Sequence, residues 1–192
     1  MMRELLKHVD ELNEHIHNLD DEIDRLMTQE EKEASEAIQA IPGIGKTSAD
    51  AIISVIGTDM SRFPTAAHIS SWGRICPANN ESAGKRKTGR LMPGNSFLRR
   101  TLILCAQSAS KNVGSYFHAQ FMRISARRGK KRAYVAVAHS ILIAIYYVLK
   151  ENVPFKDLGA NYYNQFNKER KINACLKKLK ELGWEPLNTA VV

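Results

Sequence analysis

The sequence predicts an all-α protein, and three observations lead to that prediction. The N-terminal segment carries an unbroken heptad pattern, later segments space their apolar residues three or four apart, and no segment alternates apolar and polar residues over a strand's length. The 192 residues, 44% of them hydrophobic, are enough to bury one sizeable core. We therefore expect a coiled-coil helix at residues 1–36, a compact helical domain at 37–183 and a loose tail at 184–192.

The N-terminal segment predicts a coiled-coil helix because its apolar residues occupy consecutive a and d positions of a heptad. These residues are Met2, Leu5, Val9, Leu12, Ile16, Leu19, Ile23 and Leu26. An isolated helix cannot bury such a stripe, so it needs a partner, either a second copy or another helix of the same protein. We favour self-association into a homodimer or tetramer.

Charge is distributed unevenly along the chain. The net charge is +8, yet residues 1–36 hold 12 acidic and 4 basic side chains, whereas residues 60–150 hold 16 basic side chains and the single acid Glu81. A basic block of this kind is typical of proteins that lie against nucleic-acid phosphates. Nucleic acid is therefore the expected partner, ahead of an anionic membrane surface.

Cysteine spacing and hydropathy argue against metal sites, disulfides and membrane insertion. The three cysteines lie far apart and form no Cys-x-x-Cys pair; they are Cys76, Cys105 and Cys175. This pattern fits a reducing cytoplasm. The acidic N-terminus lacks the apolar run of a signal peptide. The longest apolar stretch, 133–149, contains His139 and is short for a membrane span, so we interpret it as a core helix. We expect no metal and no membrane partner for this chain.

Residues 37–57 look like a helix-hairpin-helix, with a Pro-Gly-Ile-Gly turn between two helices. Gly43 and Gly45 permit the turn, and the amides at the start of the second helix can point at a backbone phosphate. Lys46 would add a charge and Thr47 a hydroxyl. Such contacts position a duplex without reading its sequence. The alternative is a helix connection that never meets DNA.

A serine lies beside cations in a glycine-rich basic loop predicted at residues 76–100. Ser82 stands in Glu-Ser-Ala-Gly-Lys, and the cations that follow are Lys85, Arg86, Lys87 and Arg90. Asn95 or Ser96 then caps a helix whose first turns carry Arg99 and Arg100. Its apolar side is predicted to hold Phe97, Leu98, Leu102, Leu104 and Cys105. A hydroxyl among cations suits a phosphate, as nucleophile or as hydrogen-bond donor. The alternative is a solvated loop whose serine has no chemical role.

A second basic cluster surrounds Gly129 and consists of Arg123, Arg127, Arg128, Lys130, Lys131 and Arg132. Two such clusters predict phosphate contacts and a binding affinity that falls steeply with salt. Further along, Tyr162, Tyr163 and Phe166 form an aromatic patch that suits packing or base stacking. The last helix, 168–182, is expected to turn its apolar stripe inward, through Ile172, Leu176, Leu179 and Leu182.

Six ordered patches together resemble the C-terminal transposase domain of the insertion-sequence 110/116/902 family, the bridge-RNA-guided serine recombinases. The patches are Pro42-Gly43-Ile44-Gly45, the Trp72-Gly73 to Pro77 stretch, Glu81-Ser82-Ala83-Gly84-Lys85, Gly94-Asn95-Ser96-Phe97-Leu98-Arg99-Arg100, Ala136-Val137-Ala138-His139 and Pro154-Phe155-x-x-Leu158-Gly159. The resemblance covers residues 41–163 and implies that Ser82 attacks a DNA phosphodiester and forms a phosphoserine link. Lys85, Arg86 and Arg90 would then stabilise charge on the phosphate.

The resemblance also implies partners and a cofactor outside this chain. Family members carry an N-terminal RuvC-like domain whose four carboxylates bind magnesium, whereas the acids of residues 1–36 lie on a heptad helix. We therefore expect a prokaryotic, nucleoid-associated cytoplasmic transposase portion that binds double-stranded DNA and a structured guide RNA. It would supply the serine and be inactive alone. One alternative is a non-catalytic DNA- and RNA-binding module that dimerises by its coiled coil. Another is a coiled-coil scaffold for acidic proteins.

Overall fold

The computed structural model describes residues 1–77, 80–83, 85–88, 94–165 and 168–184. The helices are α1 (Met2–Leu26), α2 (Gln29–Gln39), α3 (Lys46–Ile56), α4 (Ala66–Trp72), α5 (Ser96–Ala109), α6 (Tyr116–Arg128), α7 (Lys130–Glu151), α8 (Tyr162–Gln165) and α9 (Lys168–Glu181), with a 3₁₀ turn at Met60–Arg62. Strands β1 (Asn80–Ser82) and β2 (Lys85–Thr88) form one short antiparallel pair. The predicted all-α class is confirmed, because helices build the core.

The N-terminal helix ends earlier than the boundary predicted at residue 36. Met27 has extended backbone dihedrals, and Thr28 starts α2 with a capping box. The Glu31 amide donates to the Thr28 hydroxyl, and the Thr28 amide donates to the Glu31 carboxylate at 2.9 Å. The hydrogen bonds that the Thr28 amide and the Thr28 hydroxyl donate to the carboxylate lower the pKa of Glu31. Such reciprocal bonds satisfy amides that a helix start leaves unpaired, so α2 is a separate helix that buries Ala34 and Ile38 in the core.

Helix α7 is the centre of the core. Helices α2, α4, α5 and α6 all pack against it. Its buried side chains recur at helical spacing, and they are Ala133, Val137, Ala138, Ile141, Leu142, Ile145, Tyr146 and Val148. The Tyr146 hydroxyl donates to the Phe63 carbonyl at 2.9 Å, which satisfies the polar end of a buried ring. In the described chain, α7 alone is long and apolar enough to cross a bilayer, but here it is the core helix.

His139 lies on the same helix and is half-buried. Burial lowers the pKa of its imidazole below the ordinary value of 6.5, because a charged ring is poorly solvated there.

Helix α5 buries a narrower stripe than the sequence predicts. Asn95 caps it by accepting a hydrogen bond from the Leu98 amide at 3.0 Å, as expected. Leu98, Leu102 and Cys105 are buried, whereas Phe97 and Leu104 are 52% and 57% exposed. Ala106 and Ala109 are also buried and complete the buried face of α5. Phe97 and Leu104 therefore lie at its solvent side, contrary to the prediction.

Helix α9 does not turn its apolar stripe inward, so that prediction is wrong. Within the part of the chain that the structure describes, Ile172, Leu176, Leu179 and Leu182 are all exposed, the last at 76%. The amphipathic pattern correctly predicts a helix over Lys168–Glu181. It does not specify the surface that covers the stripe, because a periodic pattern encodes a face and not its partner.

Candidate nucleic-acid interface

The connection between α2 and α3 is anchored in the core. Ile41 and Ile44 are buried, and the Ile44 amide donates to the Ile41 carbonyl at 3.1 Å. Gly43 between them has φ +90°, a conformation that favours glycine. A Cβ on Gly43 would meet the Cys105 carbonyl oxygen and would lie 2.6 Å from the Ala109 amide nitrogen. Gly43, predicted to contact nucleic acid, therefore packs directly against α5.

The start of α3 is open, in contrast to Gly43. Gly45, Lys46 and Thr47 are exposed, and no described atom lies within 4 Å of a Cβ added to Gly45. Gly45 is the N-cap and offers no side chain to the first-turn amides. Unpaired amides at a helix start favour an anion, because the helix dipole is positive there. Three of the four residues predicted in this motif are thus accessible to a phosphate.

Lys46 is paired within the chain. Its Nζ lies 2.6 Å from Oδ2 of Asp24 on α1, and this hydrogen bond raises the pKa of the lysine. Asp50 and Asp20 add to the shift. The positive charge at the start of α3 is therefore partly neutralised by the acidic helix, a pairing that no local sequence pattern indicates.

Releasing Lys46 should strengthen DNA binding if the start of α3 lies on DNA. We expect Asp24→Asn to raise duplex affinity about two- to fivefold and to steepen the dependence of log K on log salt by about 0.9, the contribution of one phosphate contact. Fluorescence anisotropy at several salt concentrations measures both quantities. Asp21→Asn is the matched control, because it removes the same charge from α1 at a residue that does not bond Lys46. Equal effects of the two substitutions would rule out a local role for Lys46.

The predicted serine loop contains a β-hairpin. Ser82 is the last residue of β1, and its cross-strand partner is Lys85, the first residue of β2. Glu81 pairs with Arg86, and the register shifts between Asn80 and Glu81. Ala83, in the turn, has φ +52°. The predicted contact residue Arg90 lies outside the described residues, and Lys87 belongs to β2.

The chain before the hairpin, at Arg74, contacts the chain after it, at Gly94. Gly94 packs against this arginine, and a Cβ on Gly94 would lie 2.5 Å from the Arg74 Cβ. Nη2 of Arg99 donates to the Arg74 carbonyl at 3.0 Å. Arg74 is exposed and has φ +54°, which is uncommon for a side chain of this size. Arg74 is not among the residues predicted to bind nucleic acid, because backbone dihedrals of this kind leave no signal in residue spacing.

The first turns of α5 therefore present arginines next to Arg74. Arg99 is half-buried and bonded to the Arg74 carbonyl, whereas Arg100 is exposed. Both line an open groove of about 420 Å³ on α5 together with Ser96 and Leu104. This groove is a surface on which an extended polyanion can lie.

The second basic cluster occupies the corner between α6 and α7. Gly129, with φ +80°, joins the two helices. The exposed cations on either side of it are Arg127, Arg128, Lys130, Lys131 and Arg132. Three of them lie in the first turn of α7, where positive charge opposes the helix dipole. An external anion would relieve that repulsion.

The aromatic patch is a packed cluster, and it engages one cation of the second cluster. Tyr163 and Tyr116 are stacked with centroids 5.2 Å apart, and the Tyr163 hydroxyl donates to the Tyr116 hydroxyl at 2.7 Å. Burial raises the pKa of Tyr163. The Arg123 guanidinium lies 4.6 Å from the centre of the Tyr163 ring. Phe166, predicted in the same patch, lies outside the described residues.

Two further serine hydroxyls have partners within the chain. The Ser70 hydroxyl donates to the Ala66 carbonyl at 2.8 Å, and the Ser71 hydroxyl lies 3.7 Å from the Cys76 sulfur. Across the described ranges, no cluster of three histidine, cysteine, aspartate or glutamate residues could hold a metal ion.

A helical core with a basic hairpin and a basic corner is the arrangement expected of a protein that binds a polyanion. Residues 35–122 match the model of the Transposase IS116/IS110/IS902 family. This match supports the resemblance to that transposase family inferred from the sequence. The matched segment extends from α2 into α6 and includes the hairpin, Arg74 and the start of α5. No curated protein sequence matches the chain.

Proposed function

We propose that this chain is the serine-bearing part of a DNA transposase and that Ser82 is its nucleophile. The supporting observation is the position of Ser82 inside the family-matched segment, at the end of β1 and opposite Lys85. The Ser82 oxygen would bond to phosphorus while the bond from phosphorus to the departing sugar oxygen breaks. The Ser82 hydroxyl would give up its proton, and the departing sugar oxygen would take up a proton and become a hydroxyl, so that the product is a phosphoserine link to DNA.

The surrounding cations suit the charge that develops in this reaction. Lys85, Arg86 and Arg90 would stabilise the phosphorane-like transition state, because preorganised positive charge lowers the energy of developing negative charge. Lys87, Arg99 and Arg100 would hold the strand beside the hairpin. The α6–α7 corner would contact the duplex or a structured guide RNA away from the reaction centre.

We propose that the chain acts in the prokaryotic cytoplasm together with other components. A RuvC-like domain with bound magnesium would complete the reaction centre, and α1 would bring copies of the chain together. On this basis the 192 residues bind DNA and RNA and do not cleave DNA alone.

The second candidate function is a non-catalytic module that binds DNA and RNA. The observation that favours it is the open start of α3, where exposed Gly45 and Thr47 leave a helix N-terminus accessible. This arrangement fits a helix-hairpin-helix contact with a phosphate backbone. Such a module would not need Ser82.

A covalent-adduct assay tests the proposed function. The chain is joined to a RuvC-like domain of the family and incubated with magnesium, guide RNA and an end-labelled duplex, then run on a denaturing gel. We expect a labelled protein–DNA band that Ser82→Ala abolishes, with duplex affinity changed less than about twofold because binding and attack use different groups.

Ser96→Ala is the matched control in that assay. It removes another hydroxyl that lies beside arginines, in the groove on α5. The adduct should persist in this variant. A band that survives Ser82→Ala and disappears in Ser96→Ala would assign the attack to the other serine. Intact binding without a band in any variant would favour the non-catalytic module.

A further inference from the structure

Helix α4 ends in a Schellman motif, and Arg74 occupies the left-handed position of that motif. The Arg74 amide donates to the Ser71 carbonyl at 3.2 Å. The Ile75 amide donates to the Ser70 carbonyl, also at 3.2 Å, and these two hydrogen bonds define the motif. Arg74 has φ +54°, and glycine usually stands at such a position because a side chain is strained there. A large side chain is kept in this conformation only where its surroundings require it.

Gly94 provides the contact that accounts for an arginine at this position. A Cβ on Gly94 would meet the Arg74 Cγ and would lie 2.5 Å from the Arg74 Cβ. The aliphatic stem of Arg74, formed by these two carbons, therefore rests directly on the Gly94 backbone. Nη2 of Arg99 donates to the Arg74 carbonyl at 3.0 Å. Arg74 is thus held against the chain that follows the hairpin by both its stem and its backbone.

Both sides of this contact continue into packed helices. The neighbours of Arg74 in the chain, Gly73 and Ile75, are buried at the end of α4. Gly94 is followed by Asn95, which caps α5. The contact therefore joins the end of one core helix to the start of another, and the intervening loop contains the β-hairpin.

We propose that Arg74 is a positioning residue for Ser82. The contact of the Arg74 stem with Gly94 sets the direction in which the chain leaves α4 and returns to α5, and so narrows the range of positions open to the hairpin between them. Attack on phosphorus requires the nucleophile within about 3–3.5 Å and in line, so a displaced hairpin slows the reaction. This inference rests on the proposed function, in which Ser82 attacks a phosphodiester.

The two residues of the contact are complementary. Glycine at position 74 would suit the helix end and would leave Gly94 uncovered. A side chain at position 94 has no room while the Arg74 stem is present. The effect of substituting either residue therefore depends on the other.

Arg74→Gly separates positioning from stability. It removes the stem and the strain of the positive φ, and it keeps the carbonyl that Arg99 contacts. We expect the midpoint of thermal unfolding to stay unchanged or to rise by up to about 4 °C. In the adduct assay, the rate at saturating duplex should fall by about 10- to 100-fold, while the duplex concentration that gives half the maximal rate changes less than about twofold. A rate within about threefold of the parent, or a midpoint lowered by more than about 4 °C, would overturn the positioning role.

Arg74→Met and Asn152→Gly are the controls. Methionine keeps the stem and removes the charge, so the rate should stay within about threefold of the parent. A loss as large as that of Arg74→Gly would assign the arginine to a phosphate contact and exclude positioning by the stem. Asn152 ends α7 with φ +48°, so glycine there relieves the same kind of strain away from the hairpin. Asn152→Gly should leave the rate unchanged, and an equal loss in this variant would contradict the proposal.

Gly94→Ala tests the contact from the other side. Its methyl group would meet the Arg74 stem, so we expect the rate of adduct formation to fall at least about tenfold. In a protein that already carries Arg74→Gly the methyl group has room, and Gly94→Ala should then lower the rate by less than about a further twofold. Losses that multiply independently would show that the two residues do not act through one contact.

Limited trypsin digestion without DNA separates this inference from the proposed function. Lys85, Arg86 and Lys87 are cleavage sites inside the loop, on β2. Proteolysis reports local opening, so Arg74→Gly should raise the initial rate of cleavage there at least about threefold relative to cleavage at the α6–α7 corner. Asn152→Gly should leave this ratio unchanged. An unchanged ratio in Arg74→Gly would overturn the contact, whereas a raised ratio in a protein that forms no adduct would support the contact and count against Ser82 as nucleophile.

Discussion

Gly43→Ala is expected to lower the free energy of unfolding by about 2–5 kcal/mol, a large part of the 5–15 kcal/mol that holds a typical protein folded. Two costs add at this position. Alanine at φ +90° costs about 1–2 kcal/mol, and forcing a methyl group against packed backbone costs about 1–3 kcal/mol. The methyl group would meet the Cys105 carbonyl and the Ala109 amide of α5, which cannot rotate away as a side chain can. Urea denaturation followed by circular dichroism measures the change.

Gly45→Ala provides the internal comparison for this prediction. Gly45 has φ −99°, and no described atom lies within 4 Å of an added Cβ. The only cost of Gly45→Ala is a poorer N-cap, so the free energy of unfolding should fall by less than about 1 kcal/mol. Similar losses at both glycines would show that the turn, and not its packing against α5, limits stability. Duplex affinity also distinguishes the Gly43→Ala and Gly45→Ala variants, because Gly45 belongs to the open start of α3 and Gly43 does not.

Neutralising the α6–α7 corner is expected to lower duplex affinity by about 10²–10³-fold near 0.15 M salt. The change replaces five exposed cations by glutamine: Arg127, Arg128, Lys130, Lys131 and Arg132. If all five contact phosphates, the slope of log K against log salt should become shallower by about 4.5, since each contact contributes about 0.9. Anisotropy titrations across a salt series give both values, and unchanged thermal unfolding verifies the fold.

A variant with the same loss of charge elsewhere separates local contact from net charge. Five exposed lysines outside the corner serve this purpose: Lys156, Lys168, Lys177, Lys178 and Lys180. Replacing them should lower affinity far less, because distant charges are screened over about 10 Å. Equal losses in the two variants would mean that the corner has no specific contact with DNA.

Local patterns predicted the helices well and their partners less well. The heptad seam of α1 and the stripe of α7 are both periodic, yet α7 is buried and α1 is exposed. Periodicity defines a face, whereas burial depends on which other elements approach it. The end of α1 was predictable in principle, because Thr28 and Glu31 have the spacing of a capping box. Helical propensity on both sides of Thr28 obscured that boundary.

The candidate site was predicted through its residue types more than through its geometry. Ser82 and its neighbouring cations were identified from sequence, but the hairpin register that pairs Ser82 with Lys85 was not. A three-residue strand is too short to show alternation. The bond between Lys46 and Asp24 joins residues 22 positions apart, and no local pattern encodes such a contact. The positive φ of Arg74 is likewise set by its surroundings, with Gly94 packed against the side chain.

Because the apolar seam of α1 is exposed, this helix could be exchanged for another, provided that the bond from Asp24 to Lys46 is replaced. The family-matched segment begins at residue 35, after α1 has ended, and the seam residues contribute nothing to the domain core. Substitutions in the seam of this helix are therefore constrained by the partner that the seam binds, and not by the folding of the remaining chain. A different helical arm could be spliced on before Thr28 while the capping box that starts α2 is kept. The same transposase domain could in this way acquire a new assembly without any change to its interior.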